Sequence, residues 1–336
     1  MPIRVSAIVS LYNSEHFVRG AMQDLVAQTL FQRGEMEIVV VNSGSQEGEE
    51  PIVLEYKARY SNIQYVRTER ETIYGAWNRG VALSEGQFLT NANSDDRHRA
   101  DALEVLANAL ERNGVGVAYA DAYITRGANE TFENKTADRV FNWPDYSLRQ
   151  LLMHSLVGPQ PMWRRDLHDH IGLFDANLKI AGDYDFFIRA GWARGGIHVR
   201  EVLGLYYEGG TENRNLGRTF DETTDILRRY RSMIPIEDIY PACRASSDPL
   251  VAGAVARWDF ARCLLTGPHK DAQLAARLRN DAVVTVLCRP GSWPPIGLHR
   301  LRFALRGPYT GRDTGPWHPV LAELPSVADE IIRPLR

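Results

Sequence analysis

The chain is short of the features that define several protein classes. Only three cysteines, Cys243, Cys263 and Cys288, occur in 336 residues. They lie far apart without metal or redox spacing, which excludes a disulfide scaffold, and they are expected to be reduced cytosolic packing thiols. There is no basic surplus, since 39 Lys and Arg against 42 Asp and Glu leave a formal net charge of -3. A nucleic-acid binder would carry a clearly basic domain, so no nucleic-acid partner is expected. No apolar run approaches the roughly 18 residues of a membrane span. Met1-Pro2-Ile3-Arg4 leads straight into a strand-like run rather than a signal peptide, so a cytoplasmic protein is expected. What is present, 44% hydrophobic and 24% charged, suffices to bury a full core, in one large domain with an appendage or in two domains.

Strand and helix signals alternate through the first 112 residues. Val5–Leu11 is a β-rich run closed by Tyr12-Asn13-Ser14, and Phe17, Val18, Ala21, Met22, Leu25 and Val26 recur at helical spacing up to Leu30. Glu37–Val41 is nearly continuous in β-branched residues, as a parallel strand covered on both faces requires, and it ends in Asn42-Ser43-Gly44-Ser45. A helix over Ile52–Tyr60, a strand over Ile63–Val66 and a helix over Tyr74–Leu83 follow. The alternation predicts an α/β fold with a mostly parallel sheet flanked by helices.

The most informative stretch is Phe88-Leu89-Thr90-Asn91-Ala92-Asn93-Ser94-Asp95-Asp96. A short apolar strand fires into amides, a hydroxyl and two adjacent carboxylates, and a helix is predicted over Ala100–Arg112. Open α/β sheets bind ligands at such carboxyl ends. Hard cations such as Mg²⁺ or Mn²⁺ take carboxylate oxygens and often only one or two from the protein. The alternative is that Asp96 caps the following helix. Further on, Val115–Ala120 reads as a strand ending in Asp121, residues 125–147 as a polar excursion, and Met162-Trp163-Arg164 as a short strand. Asp183 and Asp185 stand in the first turn of a helix carrying Phe186, Phe187 and Ala190, where carboxylates complement the helix dipole.

Five landmarks together resemble the inverting glycosyltransferases of family 2, with the GT-A fold. They are Ser10-Leu11-Tyr12-Asn13, Val40-Val41-Asn42-Ser43-Gly44-Ser45, Gly75-Ala76-Trp77-Asn78-Arg79-Gly80, Asn93-Ser94-Asp95-Asp96, and Gly172-Leu173-Phe174-Asp175 through Gly182-Asp183-Tyr184-Asp185. The similarity runs from about Ile3 to about Tyr230. It implies a catalytic domain over residues 1–232, with residues 233–336 as a mostly helical C-terminal extension.

The resemblance implies a role for each matching residue. Leu11, Tyr12 and Asn13 would border the nucleotide base, and Asn42 falls where relatives hold the base edge with an Asp. An amide both donates and accepts, so the base is left open, with UDP the expected carrier. Asn78 and Arg79 would approach the nucleotide, an exposed helix arginine being the alternative, whereas Trp77 is expected in the core. Asp96 would hold a divalent metal, Mn²⁺ or Mg²⁺, and Asp95 the ribose, with Asn93 where relatives carry an acidic residue. Asp183 would be the general base, and Asp185 a solvated neighbour. Gly182 replaces a Glu found in many relatives. Tyr206 to Arg214 stands where relatives have a lid with a His; none is present here, and Glu208 or Arg214 would have to substitute.

The implied activity is transfer of a sugar from a nucleotide-diphosphate donor to a glycan or lipid-linked glycan. Two rivals are a sugar nucleotidyltransferase, for which Tyr12-Asn13-Ser14-Glu15 lacks a glycine-rich phosphate loop, and a catalytically degenerate binding module. Ala252–Leu265 and Ala272–Leu287 look helical. Residues 282–312 contain no acid and five arginines among apolar residues, which suits either an anionic membrane surface or packing on the catalytic domain or a second subunit, as in a homodimer.

Overall fold

A computed structural model of the chain describes residues 2–137, 139–209, 216–246 and 249–287. Of these, residues up to 148 together with 155–226 form one compact unit, and residues 149–154 with those from 227 onward form another.

The first unit begins with β1 (Val5–Leu11), α1 (Glu15–Val26), α2 (Thr29–Gln32), β2 (Met36–Ser43), α3 (Glu49–Arg59), β3 (Ile63–Thr68), α4 (Ile73–Leu83) and β4 (Phe88–Asn91). It continues with β5 (Arg97–His98), α5 (Ala102–Asn113), β6 (Val117–Thr125) and β7 (Arg139–Phe141). After the short α6 (Leu148–Leu151) come β8 (Met162–Arg164), α7 (Leu167–Ile171), α8 (Gly182–Arg194), β9 (Gly196–Tyr207) and the first part of α9 (Leu216–Met233). The strands make a nine-stranded sheet in the order β3-β2-β1-β4-β8-β6-β9-β5, with β7 paired to β6. β1, β2, β3, β4, β6 and β9 run one way, and only β5, β7 and β8 oppose them. The sheet is thus mostly parallel, as its β-branched, doubly covered strands require. Its core joins Val5, Val9, Ile38, Val40 and Phe88 of the strands to Val18, Met22, Leu25, Leu103 and Leu106 of α1 and α5. Because β2, β1 and β4 are parallel neighbours, the loops after Leu11, Ser43 and Asn91 leave the sheet on one edge.

Four elements differ from expectation, each for a tertiary reason. The helix predicted from Phe17 to Leu30 is two, because Gln28 is extended (ψ 138°) and fully buried. Its side chain donates to Arg99 O at 2.8 Å and accepts Leu103 N–H at 3.2 Å. β6 continues past Asp121 through a register shift against β9. The polar excursion contains β7, which needs β6 as its partner. β9 was not legible, since the consecutive Arg200 and Glu201 cut short the alternation that Ile197-His198-Val199-Arg200 begins.

The second unit contains α10 (Ile236–Ile239), α11 (Pro249–Thr266) and α12 (Ala272–Leu287) with the last turns of α9. Inside it Arg149 Nη1 donates to Asp259 Oδ2 at 3.1 Å, and the Tyr240 hydroxyl donates to the same oxygen at 2.6 Å. Arg231 donates to the carbonyls of Leu152 and His269 at 2.7 and 2.6 Å. The unit therefore encloses cations satisfied by specific acceptors rather than an all-apolar core. Cys243 is buried and Cys263 partly buried, both as free thiols whose pKa burial pushes up to about 11. Cys288 and the basic stretch beyond residue 287 lie outside the described residues. No helix among the described residues is long and apolar enough to cross a membrane.

Candidate active site

The acidic loop after β4 is shaped by a buried arginine. Arg97 lies behind the carboxylates with its side chain 3% exposed. Its Nη1 donates to Ser94 O and Asp96 O at 3.0 and 2.6 Å, its Nη2 donates to Asn129 Oδ1, and its Nε stands 3.6 Å from Asp24 Oδ2. A guanidinium drawing two carbonyls to itself curls the loop and turns residues 93–96 away from a helical path. Asp96 therefore does not cap α5: Asp101 occupies that position, and β5 intervenes. Asp96 is nearly buried, accepting Asn93 Nδ2 and the Tyr207 N–H, each at 3.3 Å. Burial raises the pKa of Asp95, against the pull of its own N–H and of Arg97.

A divalent cation fits this loop. Two adjacent carboxylates are withdrawn from water beside one cationic neighbour that is already turned onto backbone carbonyls. No group of three or more His, Cys, Asp or Glu suited to a metal exists among the described residues. One or two carboxylates are what Mg²⁺ takes from a protein when a substrate's oxygens and water fill the remaining positions.

The neighbouring edge is built from β1 and β2. Asn13 adopts φ 52°, a left-handed conformation that Asn tolerates. Its N–H donates to Ser45 Oγ at 2.8 Å and its Oδ1 accepts Gln46 N–H at 3.0 Å. Asn42 is fully buried: Oδ1 accepts Ser45 N–H at 2.9 Å and Nδ2 donates to the Tyr65 hydroxyl at 3.2 Å. Tyr12 is 41% exposed and carries the Arg70 guanidinium 3.4 Å above its ring. Leu11 is set apart from them, its side chain lying in the core.

Asp183 is presented by α8 and held by α4. Thr72 Oγ1 donates to Ala176 O at 3.0 Å, Asn78 exchanges two bonds with the Phe174 backbone at 2.8 and 2.9 Å, and the Tyr74 hydroxyl donates to Ile180 O at 2.5 Å. A hydroxyl has one proton, so the 3.3 Å approach of Tyr74 to Asp183 Oδ1 is secondary. The Tyr184 N–H at 2.8 Å is the bond that orients this carboxylate. Burial raises the Asp183 pKa, opposed by those two partners. A Cβ on Gly182 would meet the Tyr74 ring at 2.6 Å, so this position is closed to a side chain by an aromatic wall. Since Tyr74 opens the helix that follows β3, this wall stands at the same sheet edge as the acidic loop.

Several expected site residues are occupied elsewhere. Asn78 clamps Phe174, and Arg79 is bound at 3.0 and 3.1 Å by both oxygens of Glu71. Asp185 is not solvated: it is buried and ion-paired to Arg189 at 2.7 Å. Glu208 pairs with Arg139 at 2.5 Å, and Arg214 lies outside the described residues. Trp77 packs in the interior, donating to Ser10 Oγ at 3.2 Å. Sequence reasoning missed Arg70, Tyr74 and Arg97. Arg70 follows a parallel strand's carboxyl end, the placement that singled out Tyr12 and Asn42, and so was within reach; Tyr74 acts through contacts distant in sequence, and Arg97 bonds to nearby carbonyls from a position that Asp24 and Asn129 help to fix.

Residues 6–172 match the model of glycosyl transferase family 2. A curated relative, the uncharacterized glycosyltransferase RT0329 of Rickettsia typhi, is 30% identical over 194 residues, covering 55% of this chain and 58% of that protein. The chain spans 39% to 58% of the length of the curated relatives it matches. Among solved structures, TarS 1-349 of S. aureus in complex with UDP-GlcNAc shares the fold at TM-score 0.53 and 18% identity, covering 90% of this chain and 81% of that one. The mannosyltransferase PcManGT of Pyrobaculum calidifontis, in complex with GDP-Man and Mn²⁺, does so at TM-score 0.54 and 17% identity, covering 89% and 87%. With the family's domain over the strands that carry the acidic loop, and with the GT-A architecture around it, the chain belongs to glycosyltransferase family 2.

Proposed function

We propose that the protein transfers a sugar from a nucleotide-diphosphate donor to a hydroxyl of a glycan or lipid-linked glycan, with inversion at the anomeric carbon. The observation that carries this reading is the pairing of a half-buried, elevated carboxylate on the first turn of α8 with the adjacent Asp95 and Asp96 at the carboxyl edge of the same sheet. The UDP-GlcNAc bound by the first structural neighbour and the GDP-Man and Mn²⁺ bound by the second support it.

In the reaction, Asp183 accepts the acceptor's proton as that oxygen forms a bond to the anomeric carbon. The bond from that carbon to the diphosphate oxygen breaks, and the nucleoside diphosphate leaves with the electron pair. Raising the base above the ordinary carboxylate range suits it to a proton it must take near neutral pH. Asp96 would hold Mn²⁺ or Mg²⁺, Asp95 the ribose, and Tyr12 and Asn13 the base. The metal, when bound, supplies positive charge to the departing diphosphate. Asn42, already bonded at both ends, has one amide hydrogen and one carbonyl lone pair left for the base. Arg79 would have to leave Glu71 to reach a nucleotide.

Calorimetric titration of UDP, GDP and dTDP, with Mn²⁺ and then with the metal chelated, tests the donor half. One nucleotide binding only with metal is expected, and no binding in either condition would favour a degenerate module. Proton NMR of the anomeric proton in the transferred sugar tests inversion, and retention of the donor's anomeric configuration would overturn it.

A further inference from the structure

The loop that delivers Asp183 is pinned from its other side by a residue that no motif contains. Glu222 lies in the first half of α9. Its Oε2 accepts the N–H groups of three consecutive residues, Lys179 at 3.2 Å, Ile180 at 2.9 Å and Ala181 at 3.0 Å, while Oε1 accepts Lys179 N–H at 3.0 Å. Successive backbone N–H groups facing one point form an anion-binding nest, and here one carboxylate fills it. Bonds to an ionised acceptor are roughly twice as strong as neutral ones.

Ile180 is consequently gripped at both ends of one peptide neighbourhood. Its N–H goes to Glu222, and its carbonyl accepts the Tyr74 hydroxyl at 2.5 Å. Ala181, next in line, is the N-cap of α8 and makes no side-chain cap bond, so the entry of this helix is set by the backbone grip. Asp183 follows two residues later. Gly182 between them has no side chain of its own with which to fix the turn.

We infer that Glu222 is a positioning residue for the proposed general base, holding the 179–181 backbone so that α8 presents Asp183 at a fixed place. The inference rests on the reading of Asp183 as the base. It assigns to α9 a part in turnover, exerted through the backbone that Glu222 holds. Misplacing a reacting group by about 1 Å can cost roughly 100-fold in rate, which sets the size of the effect.

The test compares wild type with Glu222→Ala and Glu222→Gln, in the full chain. Release of nucleoside diphosphate from UDP-GlcNAc, UDP-glucose and GDP-mannose reads turnover, calorimetry with Mn²⁺ reads nucleotide binding, and hydrogen exchange reads the segment spanning 175–182. For Glu222→Ala the expected result is a fall in kcat of about 10- to 100-fold with nucleotide Kd within about twofold. Faster exchange should be confined to that segment. Glu222→Gln, which keeps one acceptor oxygen, should recover part of the lost kcat. Wild-type turnover matched by Glu222→Ala, or unchanged exchange in the segment, would overturn the inference alone. So would a loss of nucleotide binding as large as the loss of turnover. Absence of turnover in the wild type itself would remove the base assignment and this inference together.

Discussion

The proposed chemistry turns, at the scale of single residues, on carboxylates whose surroundings make them unequal. Asp183 is raised by burial, whereas Asp185, two residues away, is neutralised by Arg189 at 2.7 Å. Replacing Asp183 by Asn should lower kcat by about 10²- to 10⁴-fold, the usual worth of a general base, while nucleotide Kd stays within about twofold; normal turnover would sink the assignment. Because a general base works ionised and burial raises the pKa of Asp183, the assignment predicts that turnover falls as pH drops through a value above the ordinary Asp range, and that Asp183→Asn loses that limb. Asp24 tests the same physics in stability. Burial pushes it up to about 7, with Arg97 pulling the other way. The folded state thus binds this proton more tightly than the unfolded chain, whose Asp titrates near about 3.9. The resulting stabilisation is complete below that value and lost as pH rises through about 7. Each unit is worth about 1.4 kcal/mol, so denaturant unfolding should show stability falling between about pH 4 and 8, and Asp24→Asn should flatten that slope. The residue types at the site were legible in the sequence wherever a loop ended a strand. Their protonation was not, because burial is a property of neighbours.

Helices and loops set where those carboxylates stand. α4 holds three points of the segment before α8, through Thr72, Tyr74 and Asn78. The ring of Tyr74 lies where a side chain at position 182 would go. Gly182→Ala should therefore destabilise the protein by about 1–3 kcal/mol, the range for overpacking a filled site, and lower kcat by displacing Asp183. Full stability together with full turnover in this variant would show that the wall yields. Periodicity located α1, α4 and α5 because one face of each is apolar. It could not see the break at Gln28, the extension of β6 or the strand β7, which depend on partners elsewhere in the chain. Asn78 and Arg79 illustrate the same limit: a motif marked them for the nucleotide, and the fold gives them Phe174 and Glu71.

At the scale of the whole molecule, ligand binding should be visible as stability. A nucleotide at 100 times its Kd adds about 2.7 kcal/mol to the folded state. Saturating UDP or GDP with Mn²⁺ should therefore raise the melting temperature of the sheet-bearing unit by several degrees, and Asp96→Ala should abolish the shift without lowering the unliganded melting temperature by a similar amount. An equal shift in the variant would detach Asp96 from metal-dependent binding. The alternation of β-branched runs with amphipathic helices determined, from sequence alone, a mostly parallel α/β sheet and the edge on which Tyr12, Asn42 and Asp95–Asp96 would leave it. Such patterns follow from local burial and chain order, which neighbouring residues suffice to state. Only the tertiary structure decided that Arg97 curls the acidic loop, that Tyr74 walls Asp183, and that Glu222 gathers three amides beside it. The Tyr74 and Glu222 contacts join residues about 40 to 110 positions apart, and although Arg97 bonds to carbonyls one and three residues away, its burial against Asp24 and Asn129 is likewise long-range; no local spacing encodes which distant side chain arrives.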